Sequence, residues 1–180
     1  MNWTKEFVEL NKKWHDRDAF DSGEAELNHF LKQSAAKHME TGISRTLVLP
    51  SSSPRLNGKQ AICAFYTVTV SAISRENLPT QYARKLPFYP VPIFLIAQLA
   101  VDLQYQGSGL GKMTLVKALQ FLWTVNMNMK AFAVVVDCLN QKAENFYLKY
   151  GFEELCQHNG KTRMFIPLKT VGQLFLPPQT

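Results

Sequence analysis

Apolar residues recur at three- and four-residue spacing from about Glu24 to His38, with Leu27, Phe30, Leu31 and Ala35 on one side. This spacing predicts an amphipathic helix, which Asp21 or Ser22 can cap. The period then changes. RTLVLP (Arg45–Pro50) reads as a strand and SSSPRLNGK after it as a hairpin-like loop. ICAFYTVTV (Ile62–Val70), rich in β-branched and aromatic residues, reads as a buried strand. Pro79, Pro87 and Pro90 interrupt residues 75–90, which predicts a short helix within a loop. The strand VPIFLIAQLAVD, a glycine turn and a helix from Leu110 to about Asn126 follow. Leu115, Val116, Leu119, Leu122 and Trp123 would line the buried face of that helix. AFAVVVDCL (Ala131–Leu139) is the plainest buried strand. Asn140 then caps a short helix that Gly151 ends, and FEELC and RMFIPL read as closing strands. Strands and helices interleave throughout, so the fold class is α/β with a mixed sheet.

Composition narrows the class. A chain of 180 residues, with 46% hydrophobic and 19% charged residues, fits one globular domain over residues 1–180. The longest apolar run, Val91 to Val101, is shorter than the roughly 20 residues needed to cross a bilayer. The N-terminus mixes both charge signs and lacks the apolar core of a signal peptide, so no membrane partner and a cytoplasmic location are expected. Cys63, Cys138 and Cys156 form no C-x-x-C pair, which suggests neither a disulfide framework nor a metal site. The net charge of +6 raises the odds of a polyanionic partner, nucleic acid or a phosphorylated cofactor. A solvated surface that happens to be basic explains it equally well, because the Lys and Arg are scattered.

The turn QYQGSGLGKM (Gln104 to Met113) carries three of the nine glycines within five positions. A Walker-type loop needs G-x-x-x-x-G-K-[ST], but Gln106 stands where the first glycine would be and Met113 replaces the hydroxyl. A dinucleotide fingerprint needs G-x-G-x-x-G, whereas the spacing here is G-x-G-x-G. The pattern Q/R-x-x-G-x-G/A is met by Gln106, Gly109 and Gly111. Such a turn aims several main-chain N–H groups and a helix N-terminus at one spot and favours an anion there. The bare backbone at Gly107, Gly109 and Gly111, with Ser108 and Leu110 between them, would let a pyrophosphate approach closely, and Lys112 adds a charge at the rim. The bland alternative is a tight strand-to-helix turn that needs positive φ.

In this context the chain resembles the GNAT family of acetyl-CoA-dependent N-acetyltransferases over most of its length. The resemblance implies a mixed central sheet with helices on both faces, splayed at the acetyl-CoA strand. It implies that the glycine turn holds the coenzyme pyrophosphate and that Leu99, Ala100 and Val101 hold the pantetheine arm through main-chain bonds. NQKAENFYLKYGF (Asn140 to Phe152) is similar to the family signature A-x-x-F-Y-x-x-x-G-F. By that match Tyr147 would be the general acid and Asn140 a coenzyme-side contact. Four ordered blocks, DAFDSGEAELNHFLKQSA, CAFYTVTV, QLAVDLQYQGSGLG and FIPLKTVGQLF, are similar to GNAT toxins of toxin–antitoxin modules. Ser22 stands for their usual Cys, Ala64 for a Gly and Gln98 for an Arg. Members of that group acetylate the amino group of aminoacyl-tRNA, are commonly dimers and pair with a ribbon-helix-helix antitoxin. The resemblance implies the same acceptor, acetyl-CoA as cosubstrate, a homodimer and such an antitoxin here.

The chemistry sets its own demands. An amine attacks a thioester carbonyl, so the oxyanion needs donors already aimed at it, such as a main-chain N–H of the Ala100–Val101 strand. The departing thiolate needs a proton. A phenol at ~10 giving it to a thiol at ~8.5 is uphill by roughly 2 kcal/mol. Tyr147 must therefore be acidified by its surroundings or act mainly as a hydrogen-bond donor. On periodicity alone, Ala143, Phe146, Tyr147 and Tyr150 form a helical face whose aromatics pack in a core. His15, His29, His38 and His158 are candidate bases by residue type only. An acceptor of low pKa tolerates a missing base, and the ester-linked α-amine of aminoacyl-tRNA lies below the ~8 of a free α-amine. Arg45, Arg75, Arg84, Lys85 and Lys149 are candidate phosphate contacts. Other readings are a GNAT enzyme acting on a small-molecule or protein amine, and a binding module without turnover.

Overall fold

The computed structural model describes residues 3–176. The chain divides into two compact units, Met1–Thr69 with Ala97–Ala118, and Val70–Ile96 with Leu119–Thr180. Eight strands form a mixed sheet. Among the described residues, no helix is long and apolar enough to cross a membrane.

The first unit holds β1 (Val8–Glu9), β2 (His15–Asp16), α1 (Ala25–His29), α2 (Ala35–Glu40), β3 (Arg45–Pro54) and most of β4 (Gln60–Ile73). β1 and β4 flank β3 in antiparallel pairing, with Leu47 opposite Tyr66 and Leu49 opposite Ala64, and β2 runs parallel to β4. One side chain cluster joins Phe20, Leu31, Ala35, Val48, Ile62, Phe65 and Ala100; another joins Leu49, Cys63, Ala64, Val101 and Leu110. The expected helix over Glu24–His38 is interrupted: a π-helical turn, Phe30–Ser34, separates α1 from α2. The wider turn keeps Leu31 and Ala35 wholly buried. Such a turn loosens the carbonyl ladder, and the Arg17 guanidinium donates to the Lys32 carbonyl there at 2.8 Å. Neither Asp21 nor Ser22 occupies the N-cap, where Glu24 stands without a side-chain cap bond. The strand foreseen to stop at Pro50 runs on to Pro54, so the hairpin loop shrinks to residues 55–59, closed by Arg55 N–H donating to the Lys59 carbonyl at 2.7 Å.

His15 is buried at this level, and its Nδ1 accepts the Asn11 N–H at 3.0 Å. Burial holds its pKa below the ordinary 6.5. A proton on Nδ1 would also face that N–H donor. The unfolded chain therefore takes up the proton first as pH falls below about 6.5, and stability drops from there toward the folded pKa. Above 6.5 the contribution is fully present. Thermal melts should show this acid-side loss in the wild type and a smaller one in His15→Asn, whose Oδ1 keeps the acceptor without titrating. An identical pH dependence in both proteins would refute the assignment.

The second unit holds the start of β5 (Val91–Val101), β6 (Ala133–Cys138), β7 (Glu153–His158) and β8 (Lys161–Pro167). It also holds α3 (Thr80–Ala83), the later part of α4 (Leu110–Asn128), α5 (Gln141–Lys149) and α6 (Leu168–Phe175). β5 and β6 pair in parallel, Phe94 with Val134 and Ile96 with Val136; β8 runs antiparallel to both β6 and β7. Ile73, Leu78, Val91, Ile93, Ala133, Val135 and Phe165 form its core. The short helix foreseen within residues 75–90 is α3, preceded by a 3₁₀ turn, Arg75–Asn77. On α4, Leu115, Leu119 and Leu122 are buried as expected, while Val116 faces out at 37% exposure and Trp123 is half-buried. A stripe reaching Val116 is one position wider than the face this helix buries.

Candidate functional site

In the first unit β5 ends at Leu99, Ala100 and Val101, of which Leu99 is half-buried and the other two buried. The Asp102 N–H donates to the Cys63 carbonyl at 3.0 Å, which fixes where the chain leaves the strand. The buried Asp102 carboxylate caps the next 3₁₀ turn, Leu103–Tyr105, by accepting the Gln104 N–H at 3.0 Å. Its other oxygen accepts the Asp21 N–H at 3.0 Å. Below the turn, the Tyr105 hydroxyl and the Cys63 thiol are hydrogen-bonded, and burial pushes the pKa of each up. Trp3 meets the Tyr105 ring edge-on with centroids 5.7 Å apart.

Beyond Tyr105 the backbone opens. Gly107 and Gly109 lie at φ +77 and +83, and a Cβ at either would meet nothing within 4 Å. Leu110 is buried and anchors the start of α4, while Gly107, Ser108 and Gly109 are exposed. Gly111 and Lys112 follow in the first helical turn, the lysine exposed. The first α4 bond runs from the Met113 N–H to the Gly109 carbonyl at 3.2 Å. Among the described residues, no main-chain N–H from Gly107 to Lys112 donates to a protein acceptor. A helix start accounts for about four such free donors, and the glycine turn extends the row. Free amides, positive helix end and open space above bare backbone together make an anion cradle. Gln106, also exposed, is tied back to the protein: its Nε2 donates to the Val101 and Ser22 carbonyls, both at 2.9 Å.

In the second unit Asn140 caps α5, its Oδ1 accepting the Ala143 N–H at 3.0 Å. Gly151, at φ +86, ends the helix region as expected. Tyr147 is the buried residue of α5, whereas Ala143, Phe146 and Tyr150 are half-buried. The Tyr147 ring sits between Phe146 and Phe152, with centroids 5.2 and 5.1 Å away. Burial, with a smaller contribution from Cys138, pushes its phenol well above the usual range. The Cys138 thiol is itself pushed up to about 12, mainly by burial. Of the two alternatives the chemistry left open, burial works against acidification and favours a phenol that keeps its proton and donates a hydrogen bond. Beside Cys138, Asp137 and Arg163 form a two-point ion pair at 2.6 and 2.8 Å across β6 and β8.

The histidines have local roles. His15 closes a turn, His38 packs edge-on against Phe30, His29 lies exposed at the end of α1, and His158 ends β7 beside Asn159 of the β7–β8 turn. Two candidate phosphate contacts are also engaged within the protein: Arg45 pairs with Glu9 at 2.9 Å, and Arg75 donates to the Leu86 carbonyl at 2.7 Å with its guanidinium over the Phe88 ring. Arg84, Lys85 and Lys149 are exposed. Sequence reasoning missed Asp102 and Asn28 as turn-setting residues. Both fall inside quoted blocks, LAVD and LNHF, but a single acid or amide shows no period that would mark its partner.

Residues 60–154 match the acetyltransferase (GNAT) domain model. The tRNA-acetylating toxin of Mycobacterium tuberculosis is 30% identical over 138 residues, covering 77% of this chain and 78% of that protein. A structure of AtaT complexed with acetyl-methionyl-tRNAfMet superposes with a TM-score of 0.84 at 27% identity, covering 95% of this chain and 99% of the other. One of AtaTR bound with AcCoA gives 0.80 at 26% identity, over 97% and 99%. The family match spans more than half of the sequence, and the chain belongs to the GNAT family of acetyltransferases.

Proposed function

We propose that the chain is an acetyl-CoA-dependent toxin that acetylates the α-amino group of aminoacyl-tRNA and so blocks translation. The observation that carries the coenzyme half is the row of unpartnered N–H groups from Gly107 to Lys112 above backbone without side chains. The diphosphate of acetyl-CoA fits that cradle in charge and in the space it needs. Leu99, Ala100 and Val101 would hold the pantetheine arm through their main chain, with Gly107, Ser108, Gly109, Leu110, Gly111 and Lys112 around the phosphates. Gln106 serves by holding the turn. Asn140 serves as the α5 cap at the start of the helix that carries Tyr147.

Acetyl-CoA supplies the acetyl group as a thioester. The amine nitrogen forms the new bond to the carbonyl carbon, the carbon–sulfur bond breaks, the amine gives up a proton and the sulfur takes one. Tyr147 donates a hydrogen bond to the departing sulfur, the role its raised pKa favours. Burial raises a thiolate's proton affinity too, which narrows the gap to the phenol. No histidine is needed as base for an α-amine that is already largely neutral. The tRNA-acetylating relative and the AtaT complex support the acceptor assignment. Arg84, Lys85 and Lys149 are the exposed cations proposed to meet phosphates. An antitoxin of the ribbon-helix-helix class, a homodimer and a cytoplasmic site of action belong to the same proposal. Residues 1–180 are taken as one domain because β4, β5 and α4 each begin in one unit and end in the other.

Radiolabelled acetyl transfer in a translation extract tests the acceptor. Label is expected on charged tRNA, absent from deacylated tRNA and released by mild alkaline deacylation. Binding of tRNA should weaken steeply with salt. Label on proteins or small amines alone, with charged tRNA untouched, would make the chain a GNAT enzyme of another acceptor.

A further inference from the structure

We propose that Asn28, Asp21, Asp102 and Gln106 form a clasp that ties the segment before α1 to the glycine turn, and that these four are positioning residues for the coenzyme. The proposal rests on the coenzyme reading of that turn. The Asn28 amide stands at the outer end: its Oδ1 accepts the Ser22 N–H and hydroxyl, both at 2.8 Å, and its Nδ2 donates to Asp21 Oδ1 at 2.8 Å. Asp21 Oδ1 also accepts the Gly23 N–H at 2.8 Å. Three bonds then cross to the turn from residues some 80 positions away in sequence. The Asp21 N–H donates to Asp102 Oδ2 at 3.0 Å, the Leu103 N–H to the Asp21 carbonyl at 2.8 Å, and Gln106 Nε2 to the Ser22 carbonyl at 2.9 Å. The same Gln106 nitrogen reaches the Val101 carbonyl, so one side chain holds the last strand residue and the N-terminal segment together.

This arrangement explains a residue that the glycine turn by itself does not. The side-chain nitrogen of Gln106 is engaged by two carbonyls and so is not free to meet an anion. The Gly107 to Lys112 amides have no protein acceptor to hold their direction. A row of free donors binds an anion well only when its direction is set in advance. The clasp sets it from behind, leaving the donors free. Asn28 is the informative member, because its side-chain hydrogen bonds go to Asp21 and Ser22 and none goes to the turn.

Asn28→Ala should weaken acetyl-CoA binding, measured by calorimetry, by about tenfold, the scale of one or two lost hydrogen bonds to partly buried groups. It should raise the KM for acetyl-CoA by a similar factor and change kcat at saturating coenzyme far less. Asn28→Asp should be worse, since it sets two carboxylates against each other. The double variant Asp21→Asn with Asn28→Asp restores the donor–acceptor pair in reverse and should recover most of the affinity. Hydrogen exchange in the coenzyme-free protein reads the clasp without any ligand: Asn28→Ala should speed exchange of the Asp21 and Leu103 amides and leave β6 unchanged. Wild-type affinity and exchange in Asn28→Ala would overturn the clasp, as would failure of the reversed pair to recover either single loss. A wild-type protein that shows no acetyl-CoA binding overturns the coenzyme reading instead, with the exchange result still deciding the clasp.

Discussion

Tyr147→Phe should lower acetyl transfer by roughly 10²–10⁴-fold while the protein remains folded. The substitution removes one hydroxyl and keeps the ring between Phe146 and Phe152, so the packing around α5 survives. If Tyr147 only fills the core, the loss of that hydroxyl leaves turnover at the wild-type level, and only Tyr147→Ala does damage, through about 3–5 kcal/mol of lost packing. The two roles separate further with pH. Burial raises the folded pKa of Tyr147 and takes that of Tyr66 to about 12. The unfolded chain then releases these protons first, near 10, and stability falls as pH rises from there toward the folded values. Below 10 the contribution is fully present. Tyr147→Phe should therefore soften the alkaline fall in melting temperature while abolishing most of the activity at neutral pH. Wild-type kcat in this variant would return Tyr147 to the core and leave the departing sulfur without its hydrogen-bond donor.

What the sequence made legible follows from range. AFAVVVDCL declares itself as β6 because four buried valines and alanines in a row satisfy any sheet position, whatever pairs with them. The Asn140 cap and the Gly151 stop of α5 are local devices, settled within a few residues. The glycine turn is local as well, which is why spacing alone singled out an anion site. The missed features are those whose cause lies elsewhere in the chain. β1 and β2 are two residues each, too short to show a period, and exist because β3 and the first residues of β4 offer them main-chain partners. The π-helical turn at Phe30–Ser34 uses the guanidinium of Arg17, which no helical spacing contains. α6 lies in the block FIPLKTVGQLF, to which no helix was assigned, yet Leu168 and Val171 bury one side of it. The role of Gln106 was only half-read: its place in the motif was legible, but its partners, the Ser22 and Val101 carbonyls, were not. Local signals marked the glycine turn; the hydrogen bonds that tie it to the Asp21–Ser22 segment come from some 80 residues away.

Gly109→Val should abolish coenzyme binding, a loss of roughly a hundredfold or more, without unfolding the protein. Two effects would act at once and a control separates them. At φ +83 a β-branched residue is strained, at a cost of about 1–2 kcal/mol of stability. Apart from its chain neighbours, no protein atom lies within 4 Å of the new Cβ, so the branch point itself meets open space. Gly42, after α2, has the same backbone character, φ +73, and equally open space. Gly42→Val should therefore lower the melting temperature about as much as Gly109→Val does, because the strain is the same. Only Gly109→Val puts isopropyl carbons where the row of amides from Gly107 to Lys112 presents its donors, so only there should acetyl-CoA affinity collapse. Calorimetry on the two variants side by side reads the difference directly. Equal and modest losses of affinity in both would mean that the turn matters through stability alone. Unchanged affinity in a folded Gly109→Val protein would place the coenzyme elsewhere and remove the cradle from the reaction.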